Sequence, residues 1–274
     1  MKTYIKNAYY RCKKYIAIAK INFANKLSYP VDLISEIIFL MFIFSILFYL
    51  HQATLLITPS SPIEKLTLAQ IMWIVFFANI FVNTRGRGLI HDVNDEILSG
   101  QIAYQLNRPY SYIIFHFAQH IGSTLPSIIF GGMITGSFLY GVVGVPLITT
   151  NSLLIGSAML GIGIMINFLL QFCIGLCSFW IGQVDPIRWI YNQIMIIAGG
   201  AAIPLTLFPH AIKKIILLLP FSNVIYGAAR VIVGCQRTDL FFYISLQIFW
   251  LIMMVIITRF IFKQGVKNVV ISGG

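Results

Sequence analysis

The chain alternates long apolar runs with short polar segments. Six runs reach the roughly twenty apolar residues that a bilayer crossing needs, and they lie near residues 31–50, 66–84, 113–139, 152–181, 188–207 and 240–262. Each run predicts a helix, because the lipid interior offers no hydrogen-bond partner to an exposed backbone amide. Pro126 and the glycines that follow it predict that the third run is kinked or only partly embedded. The pattern predicts an all-α, polytopic integral membrane protein with six transmembrane helices, built as a single domain over residues 1–274.

Residues 1–29 follow a different pattern. Apolar side chains recur there at intervals of three and four, so they share one face of a helix: Ile5, Ala8, Tyr9, Cys12, Ile16, Ala19 and Phe23. Most lysines fall beside or opposite that face. A basic amphipathic helix of this kind lies at the level of the lipid headgroups, and Pro30 then turns the chain into the first run. We therefore predict an interfacial helix; the alternative is a mitochondrial presequence, which the scarcity of serine disfavours.

Prolines divide the segment before the last run. Pro204, Pro209 and Pro220 flank two apolar stretches, Ala211–Leu219 and Val224–Val233, each too short to cross a bilayer. We predict that residues 208–237 form short re-entrant helices on the outer side. Such backbone is tolerated at membrane depth only where protein or a water-filled cavity covers it.

Composition and charge fit a membrane protein. The chain is 58% hydrophobic and 10% charged, with a mean hydropathy of +0.87, whereas soluble domains carry about 25% charged residues. Its formal net charge of +11 would suggest nucleic acid in a soluble protein. In a membrane chain, lysine and arginine are instead sorted to the cytosolic side. With six crossings, most of them fall on the side of the N-terminus. Both termini and residues 85–111 are therefore predicted to be cytosolic, and no nucleic-acid partner is expected.

The polar segment of residues 85–111 lies between the second and third runs. It holds three of the eight acidic residues, namely Asp92, Asp95 and Glu96. These carboxylates can attract a divalent cation, but pairing with Arg85, Arg87 or a partner surface is the simpler interpretation. A membrane protein that concentrates its charges in one internal loop is expected to use that loop to contact something in water.

The sequence lacks three common motifs of nucleotide-binding and catalytic sites. It has no G-x-x-x-x-G-K-[S/T] phosphate loop, no G-x-S-x-G and no H-E-x-x-H. His116 and His120 share a helical face, but no third ligand is evident nearby. The four cysteines show no disulfide framework. We therefore predict no catalytic residue, no metal site and no cofactor in this chain.

Several amides lie within the apolar runs. Burial of polar groups in a membrane is costly, so they are candidates to line a pathway. Hydrogen bonding between helices, worth about 0.6 kcal/mol on average, is the alternative. The residues are Asn79, Asn83, Asn167, Gln171, Asn192 and Gln193.

The loop sequence resembles a family signature. The pattern I-x-x-G-x-[I/L]-x-x-x-L-x-R-P-x-S of ABC-2-type transporter permeases is matched by Ile97, Gly100, Ile102, Leu106, Arg108, Pro109 and Ser111. The order of elements along the chain is also similar to that family. A P…P…P…R…G pattern in its outer segment resembles Pro204, Pro209, Pro220, Arg230 and Gly234.

The resemblance implies a non-catalytic permease subunit of an ATP-driven exporter in the inner (plasma) membrane of a bacterium. Two permeases, identical or homologous, would form the pathway, and two copies of a separate ATPase would bind ATP and Mg beneath them. The substrate is expected to be hydrophobic or amphipathic, such as a drug, a lipid or a lipid-linked glycan.

The resemblance also makes the loop a coupling helix, over about residues 93–105, that rests on the ATPase. Gly100 is expected to permit close backbone approach, and Pro109 to end the helix. Charged contacts would come from Asp92, Asp95, Glu96 and Arg108, and apolar anchors from Ile97, Leu98, Ile102 and Leu106.

Two other classes of function stay open from the residues alone. An ion-driven secondary transporter requires an acidic residue near the bilayer midplane, whereas Asp32 and Glu36 lie near the membrane edge. A membrane-embedded enzyme acting on a lipid would use His116, His120 or the acidic cluster.

Overall fold

The structure, a computed structural model, describes residues 2–57, 66–83, 88–202, 205 and 208–267, without the side chains of 2–11, 54–57 and 80–83. These residues form helices and no strand. Outside them lie the predicted positions Arg85, Arg87 and Pro204 and the side chain of Asn83.

Four helical segments are long and apolar enough to cross a membrane. They confirm the first, third, fourth and sixth predicted runs. The segments are α2 (Pro30–Ile57), α6 (Tyr112–Pro126) with α7 (Gly132–Val143), α8 (Thr150–Leu176) with α9 (Ser178–Ile181), and α13 (Arg237–Val266).

The second and fifth runs form shorter helices. The helix α3 (Leu68–Asn83) has 16 residues and α10 (Asp185–Ala198) has 14. At about 1.5 Å per residue, both are shorter than a bilayer core of about 30 Å. Gly200, with φ at +76°, directs the chain out of helical geometry after α10. Crossing of the membrane by these two segments, and so the six-span topology, stays a prediction.

The third run is irregular near Pro126. A π-helical turn, Ser127–Gly131, connects α6 to α7. Proline lacks an amide donor and its ring displaces the preceding carbonyl, so the regular helical hydrogen bonds are rearranged around it. The helix nevertheless continues on both sides, so residues 112–143 form one candidate span.

The proline-flanked segment forms a sharply bent helix pair. Here α11 (His210–Leu218) and α12 (Pro220–Val233) meet at 103°. A pair of this shape is either a broken span or a re-entrant loop, so the predicted re-entry is still to be tested. Almost all of α12 is buried, because α3, α8 and α13 pack around it. This helix forms the centre of the bundle.

Glycines bring α8 close to α12. A Cβ on Gly156 would lie 2.2 Å from Ile232 Cγ1, and one on Gly163 would lie 2.1 Å from the Val224 carbonyl oxygen. A Cβ on Gly161, in the same helix, would meet nothing within 4 Å. Only some of the glycines in this run therefore serve close packing.

The helix α1 (Lys2–Leu27) packs along α6. The two helices approach closely at Gly122, where a Cβ would lie 2.3 Å from the Ala19 carbonyl oxygen. Ile16 belongs to the same predicted apolar face but is 56% exposed. The face is therefore divided between α6 and the exterior, and contact of Ile16 with lipid headgroups stays a prediction.

Candidate functional site

The polar loop contains two short helices. They are α4 (Leu89–Leu98) and α5 (Gln101–Leu106), so the single helix predicted over residues 93–105 is wrong. The break falls at Gly100, whose φ of +74° lies in the left-handed region that favours glycine. A Cβ at this position would meet nothing within 4 Å. Gly100 therefore permits a turn between the two helices, and within this chain it makes no close backbone approach.

Most of the apolar side chains of the loop face the interior of the same chain. Ile102 is 1% exposed, and Ile97 and Leu106 pack against the cluster that contains it. Leu98, by contrast, is 48% exposed. Three of the four predicted anchors thus hold the loop to its own protein, and Leu98 is the one available to a partner.

The helix α4 is attached to α8 and α9. A Cβ on Gly175 would lie 2.8 Å from the Cβ of Val93, which is fully buried. Beside this contact, the Ser178 hydroxyl donates a hydrogen bond of 2.7 Å to Asn94 Oδ1. The apolar positions of α4 recur at helical spacing, so one face of the helix can be buried in this way.

Glu96 attaches the loop to α6. The hydroxyl of Tyr112 donates to Glu96 Oε2 at 2.8 Å, and His116 Nε2 lies 3.3 Å from the same oxygen. Burial alone would raise the pKa of Glu96, but the hydrogen bonds from His116 and Tyr112 outweigh burial and lower the pKa below its ordinary value. The loop sequence predicted that this acid pairs with an arginine or with a partner surface. The histidine lies twenty residues further along the chain, and helical spacing alone gave no signal for this pair.

The other two acids of the loop are exposed. Asp95 Oδ2 lies 2.6 Å from Nδ1 of His91, and both side chains are more than half exposed. Asp92 also faces the exterior and, like Asp95, is available for charged contacts. Among the described residues, no three histidine, cysteine or acidic side chains are grouped to hold a metal ion.

Arg108 lies on the surface among aromatic rings. Its guanidinium carbon is 4.5 Å from the centre of the Tyr104 ring, and its Nη1 donates to the Tyr110 hydroxyl at 3.1 Å. Tyr104 is itself 66% exposed. A cation over an aromatic face is held in a defined place. Five exposed side chains form what we call the outer face of the loop: Asp92, Asp95, Leu98, Tyr104 and Arg108.

The end of the loop also contacts α1. Lys14 Nζ donates to the Pro109 carbonyl at 2.7 Å, and the Ser111 amide donates to the Tyr15 hydroxyl at 3.0 Å. Pro109 follows α5 by a short turn, in agreement with its predicted place after the helix. The loop is therefore attached to α1, α6, α8 and α9.

Two of the predicted intramembrane amides bond to segments outside their own helix. Asn79 Nδ2 donates to the Ala201 carbonyl at 2.8 Å, and Asn167 Oδ1 accepts from the Tyr191 hydroxyl. Both asparagines are buried within the chain, as the packing alternative expects. Gln171 is buried as well, and Asn192 and Gln193 are half-buried. Lining of a pathway by any of these residues stays a prediction.

Two prolines of the bent helix pair lie at helix starts. Pro209 precedes α11 and Pro220 is the first residue of α12, where the missing amide donor costs nothing. Arg230 lies in the last turn of α12 and is 7% exposed.

Comparison with known proteins agrees with the loop signature. The family model described as "ABC-2 family transporter protein" matches residues 37–273. No curated protein matches the chain. The matched range includes both helices of the loop, the bent pair and all four candidate spans except the start of α2. The chain therefore belongs to the ABC-2 family of transporter proteins, and it is a multi-pass membrane protein of the permease type.

Proposed function

We propose that this chain is the non-catalytic permease subunit of an ATP-driven exporter and that residues 85–111 couple it to a separate ATPase. One observation carries the proposal: the loop has an exposed outer face, while its inner face is attached to four helices. A loop that only faced water would not need attachment to four helices. Family membership supports the proposal, because ABC-2 permeases normally pair with an ABC ATPase.

The attachments suggest how movement is transmitted. Glu96 holds the loop to the start of α6, and Val93 holds it against Gly175 near the end of α8. An ATPase cleft that holds the outer face would pull both segments when it closes on ATP. Because packed helices move as rigid units rather than deform continuously, the displacement passes to the spans.

The expected assembly has two permeases, identical or homologous, and two ATPase subunits that bind ATP and Mg. The loop and both termini would face the cytosol of a bacterial cell, because lysine and arginine concentrate on that side. Export of a hydrophobic or amphipathic compound is the expected activity. The abundance of phenylalanine and tyrosine, 22 and 13 residues, supports this class of substrate, which includes drugs, lipids and lipid-linked glycans.

Copurification in mild detergent tests the docking role. Leu98→Asp places a charge on the outer face, so we expect loss of the ATPase from the purified complex. Leu147→Asp is the matched control, because Leu147 is fully exposed in the connection between α7 and α8, at the opposite end of the span. We expect it to retain the ATPase.

A transport assay in vesicles completes the test. Retention of the ATPase and of ATP-driven export by Leu98→Asp would contradict docking at the loop. Transport that follows an ion gradient without any ATPase would instead support a secondary transporter.

A further inference from the structure

A groove of about 390 Å³ lies beside the end of α13. Its lining residues are Trp180, Phe260, Ile261, Gln264 and Lys267. It lies on the loop side of the protein, because Ser178 of the same short helix as Trp180 bonds to Asn94 of α4. A Cβ on Gly265 would lie 2.2 Å from Phe179 Cδ2, so α9 and α13 are in direct contact next to the groove.

The walls of the groove are largely apolar and open to the exterior. Trp180 is 52% exposed and Phe260 is 63% exposed. Both belong to candidate spans and lie near the C-terminal end of their span. Large aromatic side chains near the ends of membrane helices lie at the membrane–water interface. There the ring contacts both the acyl chains and the polar headgroup region.

The same end of α13 carries a row of cations. Arg259, Lys263 and Lys267 recur at one-turn spacing and are exposed. The ion pairs in the described part of the chain involve other residues. The row thus presents positive charge beside an apolar groove, and Lys267 belongs to both.

We propose that this groove binds an anionic phospholipid of the leaflet on the loop side. Lys267 holds the phosphate by charge, and the Gln264 amide supplies a hydrogen-bond donor next to it. The acyl chains lie along Trp180 and Phe260 towards the membrane interior. A small soluble anion would use the lysine but not the aromatic walls, and a neutral lipid would use the walls but not the row of cations.

Basic pockets at the ends of membrane helices select anionic headgroups by this combination of charge and depth. The site does not depend on the coupling role of the loop. Only the naming of its leaflet as the cytosolic one rests on the proposed function.

Native mass spectrometry tests the site on the full-length protein with its copurified partners. The probes are phosphatidylglycerol and phosphatidylcholine, each added to the delipidated complex. We expect preferential retention of phosphatidylglycerol. Lys267→Gln should weaken that retention roughly fivefold, since one cation near a membrane surface contributes about 1 kcal/mol.

Lys214→Gln is the matched control, because it removes one exposed lysine from α11. It should leave retention of phosphatidylglycerol unchanged. Equal retention of the two lipids by the unaltered protein, or equal weakening by both variants, would overturn the proposal. Size-exclusion profiles establish that each variant is folded.

Tryptophan quenching in vesicles tests the position of the lipid. Brominated phosphatidylglycerol should quench more fluorescence in the unaltered protein than in Trp180→Phe, and brominated phosphatidylcholine should quench Trp180 less. Absence of this difference would overturn the proposal. Failure of docking by Leu98→Asp leaves this result unaffected, so the two proposals fail independently.

Discussion

Gly175 in α8 lies directly against Val93 in α4, where a Cβ on the glycine would be 2.8 Å from the Cβ of the valine. Real Cβ atoms do not approach so closely. The loop therefore reaches α8 only because residue 175 has no side chain, and the backbone of α4 is held next to that of a membrane span. This contact has no flexible side chain that can absorb a displacement.

Gly175→Ala should push α4 away from α8. Overpacking of this kind costs typically about 1–3 kcal/mol, and here the backbone has to move because the obstructing atom is Val93 Cβ. We expect a lower midpoint of thermal unfolding in detergent and reduced coupling of ATP hydrolysis to transport. Gly161→Ala in the same helix is the control, since its Cβ meets nothing. Equal behaviour of the two variants would show that the contact is not needed.

Gly100→Ala should strain the turn between α4 and α5. An L-residue in the left-handed region costs roughly 1–2 kcal/mol, and no clash adds to this cost. We expect faster hydrogen exchange of the loop amides and weaker stimulation of the ATPase. Gly144→Ala is the control at the far end of α7: its φ is also +74° and its surroundings are open, while its ψ of −173° lies in a region essentially restricted to glycine, so its backbone strain is at least as large. Loss of coupling in Gly144→Ala as well would mean that the strain acts globally.

Glu96→Gln should weaken the attachment of the loop to α6 in a pH-dependent way. The pKa of Glu96 is lowered in the folded protein, so its ionised form stabilises the fold above the ordinary glutamate pKa. This stabilisation is lost as the pH falls through the lowered value. At neutral pH we expect the variant to be less stable by about 1–3 kcal/mol, and the difference to shrink on acidification.

The unfolding midpoint measured as a function of pH checks this expectation. Asp95→Asn is the control, because Asp95 pairs with exposed His91 on the surface. Surface pairs contribute between about 0 and 1 kcal/mol. A pH-independent deficit in Glu96→Gln would contradict the role of its charge.

Gln247→Leu should loosen the centre of the bundle. Gln247 Nε2 donates to the carbonyls of Met159 at 2.9 Å and Asn223 at 3.0 Å, so it links α13 to α8 and α12. Two such bonds in a membrane interior contribute about 1–2 kcal/mol together. Ser245→Ala is the control, since Ser245 is exposed and bonds within its own helix. Stability is measured by unfolding in detergent. Equal stability of both variants and the unaltered protein would contradict the prediction.

Local patterns predicted much of the fold. Apolar runs predicted the four long spans, because a run of sufficient length has no other stable form in lipid. Pro126 marked the place of the π-helical turn, and Pro209 and Pro220 marked the starts of α11 and α12. Each of these residues acts through its own backbone, so its effect is visible without knowledge of distant segments.

The sequence predicted where the candidate site lies along the chain, but it predicted the contacts of that site less well. The signature indicated the loop and Gly100, where the structure has a turn between two helices; close approach of Gly100 to a partner stays a prediction. Leu98 and Ile102 lie four residues apart and were both predicted to be apolar anchors. Leu98 is nevertheless exposed, whereas Ile102 is buried. Periodicity shows which residues share a face of a helix; it does not show what covers that face.

The sequence by itself determined that this protein is helical and lies in a membrane, since composition, proline and run length act locally, and its loop resembles the signature of ABC-2 permeases. Only the tertiary structure decided which residues of the loop bind their own spans. Glu96 finds His116, and Val93 finds Gly175, through packing of segments far apart in the chain. The covered sides of α4 and α5 follow from that packing, and so does the exposure of the outer face.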